Sequence, residues 1–526
     1  MDLLAYLRKK FQNRRQGISG KKAARVDKPQ EAGSMVSFSI ENIPPAKGIS
    51  PERYHSWQPY KDTATKESDL VIGFDLGTSC TKVIIQDRVL KKAWAVPFGR
   101  LGCKGNPYLL PTVLGVRSNN ALTIDANEAR IDALKARFLK DNDLACRLSV
   151  DVCLNSTECV CAYIGLVLGE VRDWFWNEKK EEYAGKYINW ELNIGMPSRS
   201  YDDDGLCKKM KQLSLAGWQL SLSDSAFVRT EDVRIALRAA EAQCQKKCYD
   251  KARGELHPDN IAPAPEIIAQ VIGYARSPMR TNGMYLIADV GASTLDVSTF
   301  ILHSRDQEDA YSILVAEVKP LGAAFLHQDR LKNAREAIES FADSKNLAVF
   351  NDGVKRLTKA GFDGISPLPE IEKLFPAGCK GAIRAYHDRN YEFLEECSRL
   401  VRQVIKVTME RRSPLSEAWR RGLPVFLCGG GSRIRTYQQM IPHAQKRLQR
   451  NTSFKGFIQR QIPKPTNLET DDIPPQDYHR MSVAYGLSFS GIDIGCITPP
   501  SGIEDFRNNS NKKRDLSDLF IDKDKV

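Results

Sequence analysis

The chain lacks a long apolar run: nowhere in its sequence do apolar residues extend to the ~20 that a membrane-crossing helix needs. No secretory leader pattern opens it. It also lacks paired C-x-x-C clusters. Its 13 cysteines are odd in number, and the nearest groupings, Cys159-Val-Cys161 and Cys244 with Cys248, have no histidine or cysteine partners of a zinc site. These absences exclude a helical membrane protein, a disulfide framework and a cysteine-ligated zinc centre. The thiols read as reduced and mostly buried, and the chain as cytoplasmic. A basic body is missing too. Of the net charge of +12, residues 1–66 carry +7, with 13 Lys and Arg against 6 Asp and Glu. Nucleic-acid binding by the rest of the chain is therefore not expected, since it calls for a basic stripe on the folded surface.

What is present is a chain of 526 residues, long enough for two large lobes, with a phosphate-binding pattern that occurs twice. The apolar run Leu70-Val-Ile-Gly-Phe74 leads into Asp75-Leu-Gly77-Thr78-Ser79-Cys-Thr-Lys82. A glycine turn lets backbone N–H groups approach an anion, the hydroxyls of Thr78 and Ser79 donate to phosphate oxygens, and Asp75 suits hydrated Mg²⁺. Lys82 adds a point charge for the outer phosphates. Turns of this kind also close ordinary hairpins. Residues 285–299 repeat the arrangement: a β run, Asp289, the turn residues Gly291-Ala292-Ser293-Thr294, then Asp296 and a second β run. A third segment, Leu423–Cys428 followed by Gly429-Gly430-Gly431-Ser432-Arg433, reads as a strand entering a flat glycine platform for a base, with Arg433 placed to stack on it.

These three segments, in this order, resemble the first phosphate, second phosphate and adenosine motifs of the actin, DnaK-type heat-shock chaperone and sugar-kinase superfamily, most closely the chaperone-type ATPase domains. The resemblance spans roughly residues 68–495. It implies an α/β, two-lobed actin-like fold, with duplicated ribonuclease-H-like lobes over 67–280 and 281–495, a basic arm over 1–66 and a polar tail over 496–526. It implies ATP or ADP with Mg²⁺ in the cleft, Asp75 and Asp289 holding the metal mostly through water, and Asp289, Glu266, Asp296 and Lys82 as the catalytic set. Glu266 stands at the start of what resembles the first connecting helix, read as a Pro-initiated helix from Ile261. Its plainer reading is a carboxylate favoured by a helix first turn. Asp296, likewise, is an acid of the kind that often only caps a neighbouring strand.

Elsewhere the pattern predicts a helix near 158–178, where Trp174 and Trp176 read as core, a mostly helical stretch over 328–420, and a second connecting helix from Met481. Glu395, Glu396, Arg399 and Arg402 lie where chaperones contact the ribose, without an alignment that selects among them. Residues 1–16 place Leu3, Leu4, Leu7 and Phe11 on one face of a basic amphipathic helix, suited to docking on its own domain, on a partner or on an anionic membrane surface. Three functions follow from the resemblance. A chaperone-like ATPase would pass lobe closure to a protein partner. It would lack a peptide-binding domain, because only about thirty residues follow the second connecting helix. An actin-like filament protein would self-assemble. A small-molecule kinase would need a sugar-contacting Asp between the phosphate motifs, and none is evident. Fold alone does not choose among them.

Overall fold

The computed structural model describes residues 36–37, 64 and 66–506, apart from 104–105, 118, 126–128, 140–145, 148–152, 223–226, 247–255, 306–307, 342–343, 361–367, 377–378, 471–472 and 474. The amphipathic helix expected over 1–16 and the distal tail lie outside the described residues.

The chain is mixed α/β, built on two main sheets of mixed strand orientation. The first uses β1 (Lys66–Asp75), β2 (Cys80–Asp87), β3 (Lys92–Ala95) and the short β4 (Leu110–Pro111). Leu70–Phe74 are buried without a break, as an apolar run should be when helices cover both faces of its sheet. After the five-residue α1 (Leu134–Phe138) comes α2 (Ser156–Glu178). A capping box starts α2: Glu158 N–H donates to the Asn155 side chain at 2.7 Å, and Asn155 N–H donates to Glu158 at 2.8 Å. Trp176 is buried in the core and Trp174 packs against it, as the sequence suggests. Then follow β5 (Lys186–Met196), α3 (Asp204–Ser221), α4 (Thr230–Lys246), β6 (Ile261–Pro265) and α5 (Glu266–Ala275). β5 runs parallel to both β1 and β6. The helix expected from Ile261 thus begins at Glu266. Two prolines, Pro263 and Pro265, hold residues 261–265 extended at a sheet edge, where a missing N–H is tolerated.

The second sheet carries β7 (Gly283–Val290), β8 (Leu295–Arg305) and β9 (Glu308–Lys319), an antiparallel meander. Three helices follow, α6 (Ala323–Phe341), α7 (Ser344–Ala360) and α8 (Lys380–Val407), in the stretch where helix was expected. They share a small core of their own around Ile338, Phe350, Phe375 and Tyr386. β10 (Leu423–Cys428) lies parallel to β7, α9 (Arg435–Asn451) covers it, and β11 (Phe457–Arg460) closes that edge.

The chain then returns to the first sheet. β12 (Leu468–Glu469) pairs with β3, and α10 (Ser482–Leu487) packs on β1 and α5. Within 281–495, residues 468–469 and 482–487 thus pack with the first sheet. β13 (Cys496–Thr498) adds to β9, so the segment assigned to a polar tail starts as a paired strand. A shared apolar layer joins the two sheets, with Ile84, Tyr108 and Ile268 beside Tyr285, Phe426, Tyr478 and Tyr485. Among the described residues no helix is long and apolar enough to cross a membrane.

Candidate functional site

The two glycine turns are built to one register. β1 and β2 are joined by residues 76–79, and Asp75 pairs across them with Lys82. β7 and β8 are joined by residues 291–294, and Asp289 pairs across them with Asp296. Directly opposed residues in an antiparallel pair point to one face. Each hairpin therefore presents an acid and its cross-strand partner beside a four-residue turn.

Local bonding fixes both turns. In the first, Gly77 N–H donates to Asp75 O at 3.0 Å and Thr112 N–H donates to Ser79 O at 2.8 Å. A Cβ on Gly77 would stand 2.2 Å from the Cys80 carbonyl oxygen, so only glycine fits. In the second, Gly291 N–H donates to Thr294 O at 2.9 Å, and the start of α6 bonds back through Ala323 N–H to Gly291 O at 3.0 Å and Ala324 N–H to Ala292 O at 2.8 Å. The third segment arrives along β10, where Cys428 pairs with Asp289. Gly429 adopts φ +82°, the left-handed region that favours glycine, and a Cβ there would meet Asp289 Oδ1 at 2.1 Å.

A cavity of about 650 Å³ gathers these elements. Asp75, Gly77, Thr78, Ser79, Lys82, Glu266, Asp289, Gly291, Ala292, Ser293, Thr294, Asp296, Gly429 and Gly430 all line it. Three expected residues do not. Gly431 packs against Val290, Ser432 is buried, and Arg433 is ion-paired with Asp477 at 2.6 Å. Arg480 lies nearer the platform, its Cζ 3.9 Å from where a Gly430 Cβ would stand. Among the described residues no lining residue comes from 328–420, and Glu395 is paired with Arg402 at 2.6 Å.

The electrostatics of the two hairpins diverge. Lys82 Nζ donates to Asp75 Oδ2 at 2.8 Å. Burial works against the lysine's charge, but Asp75 outweighs it and raises the Lys82 pKa. Lys82 thus lines the cavity with its charge already paired to Asp75. In the second hairpin Asp289 Oδ1 and Asp296 Oδ1 are buried without a hydrogen-bond partner. Burial, then the charges of Glu266 and Asp75, push Asp289 up to about 7, while Lys82 and a hydrogen bond with Gln270 hold it down. Asp296 is raised well above the usual carboxylate range, first by burial and then by Asp289 and Glu266.

Lys135 and Gln270 complete the site, and sequence reasoning missed both. Lys135 Nζ, on α1, donates to Glu266 Oε1. Burial raises the Glu266 pKa, and Lys135 opposes that rise. Gln270 lies one turn after Glu266 on α5, so i,i+4 spacing could have flagged it. A five-residue helix leaves no periodic signal for Lys135. Among the described residues no group of three or more His, Cys, Asp or Glu side chains is arranged to hold a metal ion. A dication here would rest on two carboxylates and water, which the orphaned Asp289 oxygen suits. No protein-family model matches the chain, and no curated protein matches it.

Proposed function

We propose that this chain is a Mg²⁺-dependent ATPase of the actin and DnaK-type chaperone kind, two-lobed about the cavity, which transmits nucleotide-dependent closure to a protein partner. The observation that carries the reading is the common register of two hairpin turns brought, with Gly429 and Gly430, to one cavity.

In this reading the backbone and hydroxyls of 77–79 and 291–294 grip the phosphate chain from opposite sides. The base lies on Gly429 and Gly430, with Arg480 beside it. Asp75 and Asp289 would hold Mg²⁺ through water, and the ion would supply charge neutralisation on the phosphate oxygens. Lys82 fixes the Asp75 carboxylate. Lys135 fixes Glu266, which with Asp296 orients the attacking water by accepting its protons in hydrogen bonds. Phosphoryl transfer asks mainly for alignment and charge stabilisation, and this arrangement is suited to both.

A second reading rests on the far end of the cavity, where Arg199, Ser200, Asp203 and Leu206 extend the lining beyond the turns. There an acceptor other than water would make the protein a small-molecule kinase. Calorimetric titration of the full chain with ATP, with and without Mg²⁺, tests the nucleotide reading: saturable binding strengthened by Mg²⁺ is expected, and absence of binding overturns it. Phosphate release with no added acceptor then favours the ATPase over the kinase.

A further inference from the structure

Cys80 and Cys103 lie with their sulfurs 3.8 Å apart, 23 residues distant in sequence, and both are thiols. Cys80 is the first residue of β2, directly after the first turn, and it lines the cavity. Its carbonyl oxygen is the atom that a Gly77 side chain would strike. Cys103 is half-buried in the loop that leads to β4, and its N–H donates to the carbonyl of Leu109, a second cavity residue. Directly after β4, Thr112 N–H donates to Ser79 O of the turn, and its hydroxyl meets that of Thr81 on β2 at 3.0 Å. Two thiols in contact are thus mounted on the two segments that shape the phosphate side of the cavity.

We propose that Cys80 and Cys103 form a peroxide-inducible disulfide that loosens the first turn's hold on nucleotide, a regulation that rests on the reading of this cavity as a nucleotide site. Cys103, the more exposed thiol, attacks a peroxide oxygen as its thiolate, becoming a sulfenic acid while the second oxygen leaves and takes up a proton as water. Cys80 then attacks the sulfenic sulfur, the S–O bond breaks, and a second water leaves. Two thiols have lost two electrons and two protons, and one hydrogen peroxide has become two waters. A disulfide spans about 2.0 Å, so the sulfurs close by about 1.8 Å. Cys80 carries that displacement into the backbone at Gly77 and Ser79.

Full-chain protein is treated with hydrogen peroxide or kept in a phosphine reductant, digested without reduction, and analysed by mass spectrometry; ATP affinity is titrated in parallel. The proposal expects a cross-linked peptide containing Cys80 and Cys103, ATP affinity at least tenfold weaker after peroxide, and recovery on reduction. Cys103→Ser is expected to fold, bind ATP like the reduced protein and stay insensitive to peroxide. Absence of the cross-linked peptide overturns the proposal, as does an equal loss of affinity in Cys103→Ser. If neither redox state binds ATP, the nucleotide reading and the proposed regulation fail, while the cross-linked peptide still decides whether the disulfide forms.

Discussion

The first and second hairpins have the same register, the same turn length and an acid at the same strand end, yet one is electrically closed and the other is not. Asp75 faces a lysine and is bonded to it at 2.8 Å; Asp289 faces another acid, and both leave a buried oxygen without a partner. Shared geometry therefore supports two different tasks. The closed hairpin offers a rigid backbone cradle of fixed charge, and the open one offers negative charge that only a cation, a proton or water can satisfy. The two turns share their register and differ in how their charges are balanced.

The largest effect expected from breaking this comparison is on turnover. Asp296→Asn should lower phosphate release about 100-fold or more while leaving ATP affinity within roughly threefold. Lys82→Met should do the reverse, weakening affinity about tenfold through the first turn, since each tenfold is about 1.4 kcal/mol of lost binding. Steady-state kinetics beside direct titration separates the two. Equal effects from both variants would mean that the hairpins do not divide the work.

Folding offers the next contrast. A Cβ at position 77 would stand 2.2 Å from a backbone oxygen, whereas one at position 291 would meet nothing nearer than 3.4 Å. Gly77→Ala should therefore cost about 3 kcal/mol, in the range of backbone strain and overpacking, and Gly291→Ala less than about 1 kcal/mol. Denaturant titration of each variant checks the difference. Comparable losses would show that the two turns are equally constrained.

The open hairpin also titrates. Asp289 is raised from 3.8 to about 7, so the folded state favours its protonated form. As pH rises from about 4 to 7 the unfolded chain ionises while the folded chain does not, and stability falls; above 7 the loss levels off. Asp289→Asn removes that penalty. It should stabilise the ligand-free protein at pH 8 by about 2 kcal/mol, a figure reduced from the full shift because Asp289 is only half-buried, and the gap should shrink toward pH 4. Mg²⁺-dependent nucleotide binding should weaken as pH falls below about 7, where the carboxyl takes up its proton. A pH-independent gap would place the open charge elsewhere.

The smallest expected effect concerns the base. Arg480→Ala should weaken ATP binding about fivefold, the scale of one partly exposed cation–π contact, and Arg433→Ala less than twofold. The reverse order would restore Arg433 to the role the sequence suggested for it.

The mixed α/β class and all three glycine segments were legible because each is a local pattern: an apolar β run, a forced turn and short polar side chains. The lysine–acid pairing at the first hairpin was not, since sequence places Lys82 after the turn without saying which way its charge is directed. Lys135 was hidden by a helix too short to have a period. Arg433 was chosen by adjacency to the glycines, but the chain enters α9 two residues later and directs it to Asp477, while Arg480 reaches the platform from a segment nearly fifty residues on. Prolines at 263 and 265 overrode the helical reading of 261–265 because β5 offered them an edge. What escaped the sequence was a set of side-chain contacts, from the hairpin pair Asp75 and Lys82 to the remote pair Arg433 and Asp477.

Phosphate release from Mg·ATP by the purified full chain, with no added acceptor, measured beside Asp289→Asn, tests most directly whether the open hairpin carries the chemistry. Slow release that the variant reduces at least 100-fold, with the variant folded and the wild type saturable, is the predicted result. Release that persists undiminished in Asp289→Asn would contradict the claim that the open hairpin carries the chemistry.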